Sequence, residues 1–192
     1  MKQIKETYIA FLRGINVGGH HKIPMADLKK EFQKLKFKNV ITLLNSGNII
    51  FDSANENISI LEKKISNHLE KIFAFSVPAI VRNSEEISKL WKSDPFKDIK
   101  LTKDIRLYAS FIRENNTTKI KLPWKSSDNS YSIFEMRGKT ILSVLDISLS
   151  KTPKAMETLE REFGKDITTR NWNTIERIGK ILMPDAGTQS GT

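Results

Sequence analysis

The residues best suited to chemistry lie between Arg13 and Pro24, in the string Arg-Gly-Ile-Asn-Val-Gly-Gly-His-His-Lys-Ile-Pro. Gly14, Gly18 and Gly19 permit positive φ and close backbone approach. Arg13 and Lys22 supply fixed positive charge, and His20 and His21 supply imidazoles that titrate near neutrality. Pro24 suits the first position of a helix, where a missing N–H costs nothing. Free N–H groups at a helix start attract anions, so this pattern predicts a cradle for a phosphate or carboxylate. The competing reading is a tight strand-to-helix connection in which glycine only serves geometry.

Named nucleotide chemistries are excluded by spacing. Gly14 and Gly19 have the separation of the two P-loop glycines, but His20 and His21 stand where Lys and Ser or Thr must follow. There is no Gly-x-Gly-x-x-Gly, and no cofactor is predicted. Cysteine is absent, which removes thiolate ligands, thiol nucleophiles and disulfides together. With three histidines and no His-x-His or His-x-x-x-His pair, no metal site is expected. Ser46 in Asn-Ser-Gly-Asn lacks the Gly-x-Ser-x-Gly elbow, so no nucleophile is assigned there.

The elements that must position this loop can be read on either side of it. Tyr8–Leu12 is a continuous apolar run, expected as a strand buried on both faces. Met25–Lys36 places Leu28, Phe32 and Leu35 on one helical face. Val40–Leu44 and Ile49–Phe51 flank Asn45–Asn48 as a hairpin. Ser59 with Glu62 predicts a capped helix carrying Leu61, Ile65, Leu69 and Ile72, with His68 on its surface, and Val77–Val81 reads as a strand in which Pro78 points to a sheet edge or a first residue. The order strand, helix, strand, strand, helix, strand is ferredoxin-like.

The remainder predicts a helix capped by Asn83, a half-buried strand over Ile105–Ile112, and a polar excursion over Arg113–Asn129 with Pro123-Trp124 tucked onto the core. A hairpin about Arg137-Gly-Lys139 follows, then a helix capped by Thr152 before Pro153. A last helix begins within Thr168–Thr174, with Trp172 in the core. Its polar start, Thr169, Arg170 and Asn171, offers a second anion contact or simply caps. The expected organisation is α+β with two subdomains: residues 1–83 are ferredoxin-like (βαββαβ), residues 84–182 form a small antiparallel sheet with helices, and residues 183–192 are a polar tail.

The chain is basic, with a formal net charge of +10. Residues 1–38 hold nine bases and three acids, so the excess is concentrated around the loop and the helix after it. Such charge draws anionic partners, nucleic acid included. The bases are 24 Lys against 8 Arg, which equally fits a solvated surface in an AT-rich genome. No apolar run reaches the ~20 residues of a membrane span. The N-terminus has no signal-peptide core, so no membrane partner and a cytoplasmic location are expected.

Ala10–His20, continued by Lys22–Leu28, resembles the opening signature of the bacterial family catalogued as domain of unknown function 1697. Ser46-Gly-Asn48 and Thr168–Thr174 resemble its middle and closing motifs. The resemblance implies two α+β subdomains, the first ferredoxin-like, and carries no catalytic assignment. Its motifs coincide with the chemistry above. The expected ligand-binding residues are therefore Arg13, Gly14, Asn16, Gly18, Gly19, His20, Lys22, Ser46, Asn48, Arg170 and Asn171, meeting in one cleft, with His20 the acid or base if there is turnover. The leading expectation is binding of, or action on, a small phosphorylated or anionic ligand. The alternatives are a nucleic-acid-binding module using the basic N-terminal segment and a protein-interaction adaptor.

Overall fold

The computed structural model describes residues 5–113 and 120–184. Its contacts divide the chain into two compact units, Met1–Lys89 and Leu90–Thr192.

The first unit runs β1 (Lys5–Leu12), α1 (Met25–Lys34), β2 (Lys38–Leu43), β3 (Asn48–Ala54), α2 (Ile58–Phe73), β4 (Ala79–Asn83) and the start of α3 (Ser84–Lys92). The sheet order is β2-β3-β1-β4, antiparallel throughout. That is the ferredoxin-like arrangement expected from the element order. Tyr8, Ala10 and Leu12 of β1 point into a core shared with Leu28 and Phe32 of α1 and Leu61, Ile65 and Leu69 of α2. Ile9 and Phe11, on the other face, are also fully buried, as the unbroken apolar run predicted.

Strand β4 is a sheet edge, and side chains of α2 take up two of its amides. Ser66 Oγ accepts from Ala79 N (3.0 Å) and Glu62 Oε1 accepts from Val81 N (2.9 Å). These two amides are therefore not open to another strand. The Glu62 contact also corrects the expected capping box. Asn57 is the N-cap of α2, its side chain accepting from Ser59 N, and Glu62 is turned inward.

His68 is likewise not a free surface residue. Its Nε2 lies 2.9 Å from Oε2 of Glu31, a buried carboxylate whose Oε1 accepts from Lys34 Nζ at 2.7 Å. The Lys34 hydrogen bond outweighs the desolvation that burial imposes and, with His68, holds the Glu31 carboxyl below its ordinary value. A depressed carboxyl stabilises the fold above its unfolded pKa, and that stabilisation is lost as pH falls through the lower folded value. Glu31→Gln should therefore cost about 1 kcal/mol at pH 7, with Lys34 largely solvated. The deficit should shrink as pH falls below the ordinary carboxylate range, which urea denaturation across pH 3–7 will measure.

The second unit contains β5 (Ile105–Ile112), β6 (Trp124–Lys125), β7 (Tyr131–Arg137), β8 (Thr140–Asp146), α4 (Thr152–Phe163), β9 (Ile167–Asn171) and α5 (Trp172–Leu182). The order is β6-β7-β8-β5-β9, again antiparallel. Ala155, Leu159 and Phe163 of α4 pack with Tyr108, Tyr131, Ile133 and Ile141, and Trp124 tucks against this core as expected.

Three expectations change here. Strand β5 is buried along Leu107–Ile112 on both faces rather than one, because it lies between β8 and β9 in the sheet interior. The polar residues Thr168–Asn171 expected at the helix start form a strand paired with β5, while α5 starts at Trp172, within the expected span and capped by Asn171. Lys151, not Thr152, is the N-cap of α4. Of the predicted polar excursion, residues 114–119 lie outside the described residues, as does the tail beyond Pro184.

No helix among the described residues is long and apolar enough to cross a membrane.

Candidate functional site

The Arg13–Pro24 segment leaves the end of β1 with its first amide still in the ladder, Arg13 N donating to Pro78 O at 2.9 Å. It then folds on itself. Asn16 N donates to His21 O and His20 N to Val17 O, both at 3.1 Å. Between them Gly18 (φ 59°) and Gly19 (φ 81°) occupy the two central positions of a tight turn, where positive φ at both residues favours glycine. Residues 16–21 are thus a miniature hairpin with Val17 exposed at its tip. The glycines serve this turn first, and their amides make no hydrogen bond among the described residues.

Asn16 is the clamp that holds the hairpin down. It sits at φ 55°, a left-handed conformation that asparagine tolerates better than most residues. Its Oδ1 accepts from Ile23 N (2.8 Å), while Nδ2 donates to Ile23 O (3.1 Å) and Asn45 O (2.7 Å). The carboxamide therefore pairs with Ile23 as a neighbouring peptide group would and ties the loop to the β2–β3 turn. On the other side, His21 stacks on Phe75 (centroids 4.3 Å apart, planes 12° from parallel) and its Nδ1 lies 3.2 Å from Gly14 O. A carbonyl can only accept, so Nδ1 carries the proton in that contact.

Where the clamped loop meets α1 there is a depression of about 360 Å³, lined by Asn16, Gly19, Lys22, Pro24, Met25 and Asn45 among others. Pro24 is the N-cap of α1, one position earlier than its expected role as first helical residue, and no side chain caps the helix. The amides of Met25 and Ala26 make no hydrogen bond among the described residues, because the first helical bonds to Pro24 O come from Asp27 and Leu28. Lys22 is exposed at the rim, and none of the lining residues is acidic. A helix start, a lysine and a glycine amide around a concavity form an environment of net positive potential.

Of the expected ligand-binding residues, Asn16, Gly19 and Lys22 line this depression. Arg13 is half-buried at the strand end, and Gly14, Gly18 and His20 are exposed elsewhere on the loop. Ser46 and Asn48 form the adjoining turn. Asn48 is fully buried and donates to Leu43 O and Ser46 Oγ, both at 3.0 Å. Between them Gly47 is required by space, since a β-carbon there would stand 2.7 Å from Ile15 Cδ1 and 3.0 Å from Leu12 Cβ. Sequence reasoning missed Asn45 as a lining residue and His21 as the anchored imidazole; the Asn-Ser-Gly-Asn tetrad was the available signal for the former.

Arg170 and Asn171 belong to the second unit. Arg170 is buried, with Nη1 donating to Thr168 Oγ1 (2.8 Å) and Thr169 O (2.9 Å). Burial pushes its pKa down to about 10, so it stays protonated at neutral pH. Asn171 is the N-cap of α5, accepting from Asn173 N at 3.1 Å.

Residues 5–141 match the model of a family described as a protein of unknown function, DUF1697. The chain belongs to this family. The match takes in the hairpin loop, the depression and the β2–β3 turn, and ends before the Arg170–Asn171 motif. The DUF1697 chain is also similar to the structure of the conserved bacterial protein SP0830 from Streptococcus pneumoniae, at 24% identity and a TM-score of 0.68. The likeness covers 93% of this chain and 99% of that one, and it carries the fold with its two-unit layout. No functionally curated protein matches the chain.

Proposed function

We propose that this DUF1697 protein is a cytoplasmic binder of a small phosphorylated or carboxylated ligand, taken up in the depression at the start of α1. The observation that carries the reading is the uncapped helix N-terminus, opening on a concavity of about 360 Å³ with Lys22 at its rim and no acid in its lining. Lys22 neutralises the ligand's charge, the Gly19 and Met25 amides donate to its oxygens, and Asn45 orients it. Asn16 acts behind them by holding the loop in place.

A thermal-shift series with inorganic phosphate, sugar phosphates, nucleotides and short RNA and DNA tests this. A ligand at about 100 times its Kd stabilises by roughly 2.7 kcal/mol, a shift of about 5–10 °C for a chain of this size. Lys22→Glu, on an exposed side chain, should leave the unliganded Tm within about 1 °C and abolish the ligand shift. Shifts confined to oligonucleotides and erased by salt would instead indicate a nucleic-acid-binding module. No shift with any compound would reject the ligand reading.

A further inference from the structure

We infer that the second unit repeats the first, βαββαβα in the first and the same plan without its first helix among the described residues of the second, and that Arg170-Asn171 is a fold-forming clasp whose twin is Arg82-Asn83.

The repeat is visible first in the sheets. Set β5 against β1, β7 and β8 against β2 and β3, and β9 against β4. The second sheet then has the order of the first, with β6 added at its edge. Helix α4 takes the place of α2 and α5 that of α3, while no helix lies between β5 and β7 among the described residues.

The side chains follow the same register. Strand β1 reads Tyr8-x-x-Phe11-x-Arg13 with the residue after it, and β5 reads Tyr108-x-x-Phe111-x-Arg113. Tyr8 pairs with Asn83 and Tyr108 with Asn171; Ile9 faces Arg82 and Ala109 faces Arg170. Phe11 faces Asn48 at the start of β3, and Phe111 faces Thr140 at the start of β8, the counterpart of β3.

The hydrogen bonds that close each sheet end also recur. Leu12 N donates to Gly47 O (2.8 Å) as Ile112 N donates to Lys139 O (3.0 Å). Arg13 N donates to Pro78 O (2.9 Å) as Arg113 N donates to Asp166 O (3.2 Å). Both tyrosine hydroxyls reach the start of the next helix after the β2–β3 or β7–β8 hairpin, Tyr8 to the backbone of Glu56 before α2 and Tyr108 to Thr152 of α4.

The clasp is the most specific part. Arg82-Asn83-x-x-x-Ile87-x-Lys89-Leu90 and Arg170-Asn171-x-x-x-Ile175-x-Arg177-Ile178 share spacing and residue type. Each arginine is the last residue but one of its strand, is buried, and turns Nη1 back onto the preceding carbonyl: Val81 O at 2.8 Å, Thr169 O at 2.9 Å. Each asparagine ends its strand and accepts from an amide in the first turn of the next helix, Glu86 N or Asn173 N. Helices α3 and α5 start at the following residue in both cases. One strand-to-helix junction has thus been built twice, and a buried arginine in that role is costly to remove because its bonded partners are left behind. What recurs in both units is scaffold; the depression is lined by residues at the start of α1, which has no counterpart among the described residues of the second unit.

Thermal unfolding of the full chain decides this without reference to any ligand. Arg82→Ala and Arg170→Ala should each lower the Tm by roughly 4–10 °C. Where an alanine variant does not fold, Arg→Lys keeps the charge but loses the fork, and should lower the Tm by a smaller amount at both positions. A Tm unchanged within about 1 °C for Arg170→Ala beside a clear loss for Arg82→Ala would overturn the repeat. So would a fully stable Arg170→Ala protein that has lost a phosphate-induced shift. Absence of that shift in the wild-type chain would count against the ligand reading alone.

Discussion

Asn16→Ala is expected to lower stability by about 2–4 kcal/mol, seen as a Tm drop of roughly 5–15 °C. Three hydrogen bonds are lost, two to the Ile23 backbone and one to Asn45 O. At about 1 kcal/mol net for each bond they dominate the estimate. Alanine must also hold φ 55°, a left-handed conformation that costs roughly 1 kcal/mol more than it does for asparagine. Asn16→Asp separates the contributions: it keeps the conformation and the acceptor for Ile23 N but removes both donors. With a carboxylate oxygen then facing the Ile23 and Asn45 carbonyls, it should be at least as destabilised as alanine at neutral pH. Because Asn16 fixes the hairpin against the β2–β3 turn, Asn16→Ala should also raise amide exchange at His20, His21 and Ile23 well before the rest of the first unit. An unchanged Tm together with unchanged exchange would show that His21 on Phe75 holds the loop without Asn16.

Gly179→Ala should destabilise by about 2–3 kcal/mol, although the local rule points the other way. Gly179 lies inside α5, where exchanging glycine for alanine ordinarily gains about 1 kcal/mol. Here the added carbon would stand 2.6 Å from Cγ of Trp91 and within the body of its ring. Nothing in that contact is the free end of a flexible chain, so either the indole or the helix must shift, and overpacking outweighs propensity. The second variant that makes this decisive is Trp91→Leu. Alone it should destabilise by about 2 kcal/mol through lost packing, yet combined with Gly179→Ala the two losses should be less than additive, by at least 1 kcal/mol in a double-mutant cycle. Additive losses would mean that the ring does not oppose the β-carbon.

Much of the first unit was legible because its signals are local and periodic. The apolar run of β1, the 3.6-residue spacing of Leu28 and Phe32, and the turn tetrad between β2 and β3 each follow from pattern. What went unread depends on partners distant in the chain. Glu62 looked like the far end of a capping box, but it serves Val81, 19 residues on. His68 looked like a surface residue because Glu31 is 37 positions away. Strand β9 is short and polar in sequence, and it is a strand because β5 lies beside it.

The candidate site divides in the same way. The sequence by itself determined where a glycine-rich, basic strand-to-helix connection would fall, since glycine, proline and charge act through their own backbone and field. It also determined the α+β class, the ferredoxin-like order and the family signature. Only the tertiary structure decided what each polar side chain does. It turned Asn16 and Asn48 inward as clamps, stacked His21 on Phe75, and made Asn45 line the depression together with Lys22. The physical reason is that a carboxamide or guanidinium has several hydrogen-bonding groups and no local preference strong enough to choose among them; burial and the nearest unpaired backbone group make that choice.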